Sequence, residues 1–126
     1  MSCNSSVPAA HVIYHIHDEP PHFDADDRYV PTSLKREGFI HATRDADELL
    51  NVAARFYDDR AHCTVWLIDR DRVDVPIRDE PGADRPEILF PHVYGPLPRA
   101  SIIAHATIER DHTGAWRWMI PPRCAM

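Results

Sequence analysis

Glycine is scarce in this 126-residue chain: there are four, Gly38, Gly82, Gly95 and Gly114. They are too far apart to build G-x-G-x-x-G or G-x-x-x-x-G-K-[ST], which excludes a Rossmann dinucleotide site and a P-loop. Cysteine is scarcer still. Cys3, Cys63 and Cys124 form no C-x-x-C, and an odd, widely spaced set builds neither a disulfide framework nor a zinc finger. That usage fits a reducing cytoplasmic compartment. Positive charge is also short: 14 Lys and Arg against 20 Asp and Glu leave a net charge of −6 and a pI near 5.8. Broad nucleic-acid binding needs clustered cations, so it is not expected, although several basic residues fall between Arg28 and Arg60. No apolar run approaches the roughly 18 residues of a membrane helix. The start, Met1 to Pro8, lacks the basic and apolar regions of a secretory signal, so no membrane association is expected.

What the chain has in quantity is proline, twelve residues, and histidine, nine. The prolines gather at 20–21, 76–98 and 121–122 and mark loops and element ends. The length suits one domain over 11–120, with tails at 1–10 and 121–126.

The β-branched and aromatic run from His11 to His17 predicts a first strand, with Val12, Tyr14 and Ile16 on one face and Ile13, His15 and His17 on the other. An acidic loop follows over 18–27. A short helix is expected over Tyr29–Glu37, with Pro31 in its first turn and Gly38 as a left-handed C-cap. Phe39–Ala42 reads as a short strand. Asp45–Tyr57 reads as the best helix: Asp45 and Glu48 resemble a capping box, and Ala46, Leu49, Leu50, Ala53, Phe56 and Tyr57 make an apolar stripe. Cys63–Ile68 is a continuous apolar run expected at the centre of a sheet. Val75–Ile77 is expected as an edge strand because Pro76 cannot donate to a ladder, and Asp79–Pro86 as a charged loop. Strands are expected from Ile88 through Tyr94, over Ser101–Glu109, and over Ala115–Ile120 after a turn at Asp111–Gly114. The fold class is α+β, with two helices in the first half and a strand-rich second half.

Several chemically capable side chains stand on or beside these strands: His15, then His41 and Thr43, then Glu80, then His92 and Tyr94. A histidine in an apolar strand costs burial energy unless it is hydrogen-bonded, so each alone reads as readily as a satisfied core residue. Three such histidines, each beside an aromatic or a hydroxyl, point to a shared pocket. His15 and His17 share a strand face as two metal ligands require, but no metal-site signature accompanies them and no metal is expected. Cys63 lies in an apolar run that disfavours a thiolate, and no serine sits in a G-x-S-x-G elbow.

Ile13–Ile16, then Tyr29, Ser33 and Leu34, then Glu37-Gly38-Phe39-Ile40-His41-Ala42-Thr43, Glu80, and Phe90-Pro91-His92-Val93-Tyr94-Gly95-Pro96-Leu97 together resemble the bacterial DUF952 family, over about Val12 to Trp116. The resemblance implies an ADP-ribosyltransferase-like fold, a mixed or antiparallel split sheet remotely similar to that of tRNA 2′-phosphotransferases and poly-ADP-ribosyltransferases. Tyr14-His15 looks like the leading Tyr-His of those enzymes. His41-Ala42-Thr43 looks like the His-x-Ser strand of the 2′-phosphotransferases, with Thr43 in place of Ser. The chain departs from the pattern in having Ile16-His17 after His15 and in lacking Gln-x-Glu or Glu-x-Glu. The implied activity is binding of NAD, as substrate, or of a related nucleotide, with transfer or hydrolysis at ribose C1′. In that scheme Glu80 and His92 are the catalytic candidates. Tyr14, His15, Ser33, His41, Thr43 and Tyr94 are the ligand-binding candidates. The acceptor is left open. The alternatives are a non-catalytic module for a nucleotide or small anion, and a metal-dependent enzyme.

Overall fold

The computed structural model describes residues 11–17, 20–83 and 85–119. The two expected tails, and the expected loop and strand positions at 18, 19, 84 and 120, lie outside the described residues. The elements in order are β1 (Val12–His17), β2 (Arg28–Tyr29), α1 (Thr32–Glu37), β3 (Ile40–His41), α2 (Ala46–Phe56), β4 (His62–Asp69), β5 (Ile77–Pro81), β6 (Leu89–Val93), β7 (Leu97–Pro98), β8 (Ile102–Arg110) and β9 (Trp116–Trp118). The protein is α+β, and every strand pairing among the described residues is antiparallel. Neither α-helix is long and apolar enough to cross a membrane.

The strands form three sheets: β1-β4-β8-β9, β3-β6-β5 and the pair β2-β7. The first sheet has apolar packing on both faces. One face packs Val12, Ile16, Val65, Leu67 and Ile108 with Leu49 and Ala53 of α2. The other packs Ile13, Trp66 and Ile68 with Tyr29, Ile40, Val93 and Leu97 from the smaller sheets. Burial on both faces is why β4 reads as an unbroken apolar run rather than an alternating one. The layers are therefore α2, the four-stranded sheet, and the two smaller sheets. Each fully buried aliphatic side chain contributes about 1.5–3 kcal/mol to that stack.

Among the described residues, the backbone of the three-stranded sheet joins that of the first through one short segment. Ala42 donates to the Pro91 carbonyl of β6, while Thr43 exchanges both backbone hydrogen bonds with Tyr14 of β1, at 2.8 and 2.9 Å. Residues 40–43 thus leave one sheet and enter the other.

Three expectations are corrected. Tyr29 is not helical: it pairs with Leu97 in β2, and α1 begins only after Pro31, which is its N-cap. The physical reason is that a residue before proline is held extended, so Val30 cannot start a helix. Phe56 is not part of the buried stripe but 62% exposed at the end of α2, and Val52 packs on the core instead. The edge strand is not Val75–Ile77 but Ile77–Pro81. Pro76 stands just before it and uses its carbonyl to accept from Tyr94 N. Asp79, Glu80 and Pro81, expected in a loop, are therefore strand residues.

A candidate site on the three-stranded sheet

Successive residues of a strand alternate between faces. In the β3-β6-β5 sheet Ile40, Val93 and Ile77 are in register and turn toward the core. The other face carries His41 with Phe39 just ahead of it, His92 with Tyr94 just after it, and Arg78 and Glu80. His41, His92 and Arg78 are cross-strand neighbours in one row. Alternation puts apolar groups inward and a polar set outward in the same stroke.

The outward set is tied together. Oε1 of Glu80 accepts from the Tyr94 hydroxyl at 2.5 Å and from Nδ1 of His92 at 2.7 Å. Because a carboxylate only accepts, the proton of neutral His92 sits on Nδ1, and Nε2 is left with its lone pair. The two hydrogen bonds, Tyr94's first and His92's second, hold the Glu80 carboxyl below its ordinary value of 4.5. The same contact raises the Tyr94 hydroxyl above its ordinary value of 10.0. At neutral pH Glu80 is thus an anion beside a protonated phenol.

Phe39 covers this arrangement. Its ring stacks on His92 with centroids 4.0 Å apart and meets Tyr94 at 5.4 Å and His41 at 4.8 Å. His41 meets His92 edge-on at 5.6 Å. The Nε2–H of His41 points between the two oxygens of Glu37, at 3.1 and 3.2 Å, which in the neutral ring leaves the lone pair on Nδ1. Each of the two rings is therefore backed by a carboxylate. His92 is 13% exposed and Glu80 34%, whereas His41 and Glu37 are open to solvent. The guanidinium of Arg78 lies over the Tyr94 ring, 5.2 Å from its centroid.

The remaining residues expected at the site lie elsewhere. His15 is buried on the opposite side of the sheet backbone. Its Nδ1–H donates to the His41 carbonyl at 2.6 Å, and its Nε2 accepts from the Tyr29 hydroxyl at 2.9 Å. It is a satisfied core histidine that supports β3 from behind. Tyr14 packs on the α2 side of the first sheet, near Trp118, and burial raises its hydroxyl above the ordinary value. Thr43 is buried in the crossing segment, and Ser33 is half-buried on α1. Glu80, His92, Tyr94 and His41 come together; Tyr14, His15, Ser33 and Thr43 do not join their face.

Glu37, Phe39 and Arg78 belong to the cluster and were not among the expected site residues. Their signal was period two: Phe39 precedes His41 by two, and Arg78 precedes Glu80 by two. For Arg78 that signal was hidden once the edge strand was placed at Val75–Ile77 and Asp79–Pro86 was read as a loop. A groove of about 530 Å³ lies on the Asp79 side of β5, lined by Arg44, Glu48, Arg70, Asp79 and Leu89, and it contains no residue of the cluster. Its charges are largely paired, Arg70 with Asp79 and Arg85 with Glu48. Among the described residues no group of three His, Cys, Asp or Glu side chains has the geometry to hold a metal ion.

Residues 17–105 match the family described as "Protein of unknown function (DUF952)". Two crystal structures of the protein CC0527 from Caulobacter crescentus, one of a double mutant, share the fold. Each has a TM-score of 0.63 at 19% identity, covering 84% of this chain and 93% of that one. No curated protein matches the chain.

Proposed function

The chain belongs to the DUF952 family, and from that membership together with the cluster we propose that the outer face of β3-β6-β5 is a nucleotide site acting at ribose C1′, in the manner of the ADP-ribosyltransferases. NAD is the substrate that the resemblance implies. One observation carries the reading: the Glu80 carboxylate, held ionised by Tyr94 and His92 on an accessible strand face.

Breaking the C1′–nicotinamide bond sends the bonding pair to the leaving nitrogen and leaves positive charge on C1′ and the ring oxygen. A fixed anion stabilises that charge as it develops, and because its donors are already placed it needs no reorganisation. Nε2 of His92 is oriented to take the proton of an attacking hydroxyl or water, with Glu80 supporting the imidazolium that results. Phe39 offers the apolar wall a flat ring ligand stacks on, and His41 offers a hydrogen-bond acceptor to a ribose hydroxyl. The chain's antiparallel pairing and the split between its two larger sheets support the same reading.

The test is nicotinamide release from NAD by the purified protein, with binding followed by calorimetry. Wild type is expected to bind NAD and release nicotinamide. Glu80→Gln, which keeps the shape and removes the anion, is expected to bind with little change and to lose 100-fold or more in turnover, on the order of the loss of one electrostatic stabiliser. No heat with NAD or ADP-ribose from a folded protein would sink the proposal.

A second reading, a non-catalytic module for a nucleotide or small anion, is favoured by one feature: the cluster lies on an open sheet face rather than in an enclosed cavity, and exclusion of water is what such chemistry usually requires. Tight binding without nicotinamide release, unchanged in His92→Ala, selects it.

A further inference from the structure

Arg78 has no role in the reading above. It stands two residues before Glu80 on β5, on the same face, and directly across from His92. Other arginines of the chain are engaged: Arg28 with Asp74, Arg70 with Asp79, Arg99 with Asp27, Arg117 with Glu109. Arg78 forms no ion pair among the described residues, and its guanidinium rests over the Tyr94 ring. The hydrogen bonds that Glu80 accepts come from Tyr94 and His92. The five N–H donors of Arg78 are therefore free for a ligand, whereas most of the described arginines are closed on carboxylates.

Spacing says what kind of ligand. Residues i and i+2 of a strand stand about 6.6 Å apart. A ribose 5-phosphate presents its anomeric carbon and its phosphorus at a comparable separation. Its anomeric end wants the anion of Glu80, and its phosphate wants a planar, bidentate cation. The contact with the Tyr94 ring holds the guanidinium beside Glu80, so less side-chain freedom is lost when the phosphate arrives. We propose that Arg78 is the specificity determinant of this face: it seats the 5′-phosphate of the ribose whose C1′ lies at Glu80, so that the site takes nucleotides and sugar phosphates and rejects the corresponding nucleosides. This inference rests on the placement of C1′ at Glu80.

The experiment compares ribose 5-phosphate with ribose, and nicotinamide mononucleotide with nicotinamide riboside, by calorimetry on wild type, Arg78→Ala, Arg78→Lys and Glu80→Gln, each checked for native circular dichroism and melting temperature. In wild type the phosphorylated member of each pair is expected to bind at least 10-fold tighter. Arg78→Ala is expected to erase that preference while leaving the affinity for ribose and the riboside within 2-fold. Arg78→Lys is expected to restore part of it, since it returns the charge without the fork. Equal affinity for both members in wild type, or equal loss for both in Arg78→Ala, overturns the assignment of Arg78 but leaves the site standing. Absence of binding by all four ligands and by ADP-ribose overturns both. Should Arg78→Ala fail to fold, Arg78→Lys and Arg78→Gln carry the same comparison.

Discussion

Glu80 places two donors on one oxygen, and its titration reports whether they matter. A carboxyl whose folded value lies below its unfolded one adds stability above the unfolded value, and that stability is lost as pH falls through the folded value. The direction at Glu80 is downward from 4.5, with the Tyr94 hydroxyl as the largest cause. Tyr94→Phe is therefore expected to move the Glu80 carboxyl upward, read by carbon-13 NMR of the carboxylate. In Glu80→Gln the acid-side loss of stability belonging to this group, which sets in as pH falls below the ordinary value of 4.5, should vanish from urea melts. An unshifted Glu80 in Tyr94→Phe contradicts the geometry. His15 makes the complementary case. It reads in sequence as well for a ligand-holding histidine as for a core one, because both need a histidine inside an apolar strand. Only the partners decide, and Tyr29 and the His41 carbonyl are 14 and 26 residues away. His15→Leu fills the space but takes the donor away from the buried His41 carbonyl, at a cost of about 1–3 kcal/mol for that group. Chemical denaturation measures it, and an unchanged midpoint would show that His15 is not the support described.

At the scale of elements, legibility follows how local the determinants are. Helix α2 was readable because its cap is local: the Asp45 side chain accepts from Glu48 N at 2.7 Å, as the spacing of the two residues predicts. The end of α1 was readable for the same reason. Gly38 adopts φ +88° with its N–H on the Leu34 carbonyl. The space around its missing Cβ is empty, so only backbone strain opposes a side chain there. Gly38→Ala should cost about 1–2 kcal/mol, and because Glu37 and Phe39 flank it, should also disturb the His41 and His92 resonances in NMR. An Ala variant with full stability and unmoved histidine signals would show that this cap does not set the approach to β3. Strand β5 was not readable. Arg78-Asp79-Glu80 is as polar as any loop, and its strand character comes from pairing with Phe90, Pro91 and His92, a dozen residues ahead. An edge strand with one face in solvent tolerates such charge and gives no apolar pattern to find.

For the whole molecule, the α+β class and the central place of β4 followed from composition and periodicity. The division into sheets did not, because it depends on which edges meet. Half of the expected site residues went with that uncertainty. Strand alternation correctly put Tyr14 and His15 on opposite faces of β1, but nothing along the chain says that both of those faces are covered. The four residues that do converge come from β3, β5, β6 and the residue following β6, and alternation within one small sheet was enough to gather them once its register was known.

The crossing at 40–43 has a kinetic consequence. Among the described residues, two backbone hydrogen bonds between Tyr14 and Thr43 are the ladder contact between the larger sheets, which otherwise meet through side chains such as Ile40 and Val93 on Ile13 and Trp66. The three-stranded sheet therefore has the makings of a separate cooperative unit, able to open while β4 and β8 stay closed. Deuterium uptake should show β3, β5 and β6 amides exchanging together, earlier than those of β4 and β8, and slowing as a group when a ligand occupies the outer face. If all strands exchange in one step, the protein opens only globally. If they exchange in two, ligand protection will map onto the face that Glu80, His92 and Arg78 share before any crystal with a ligand is grown.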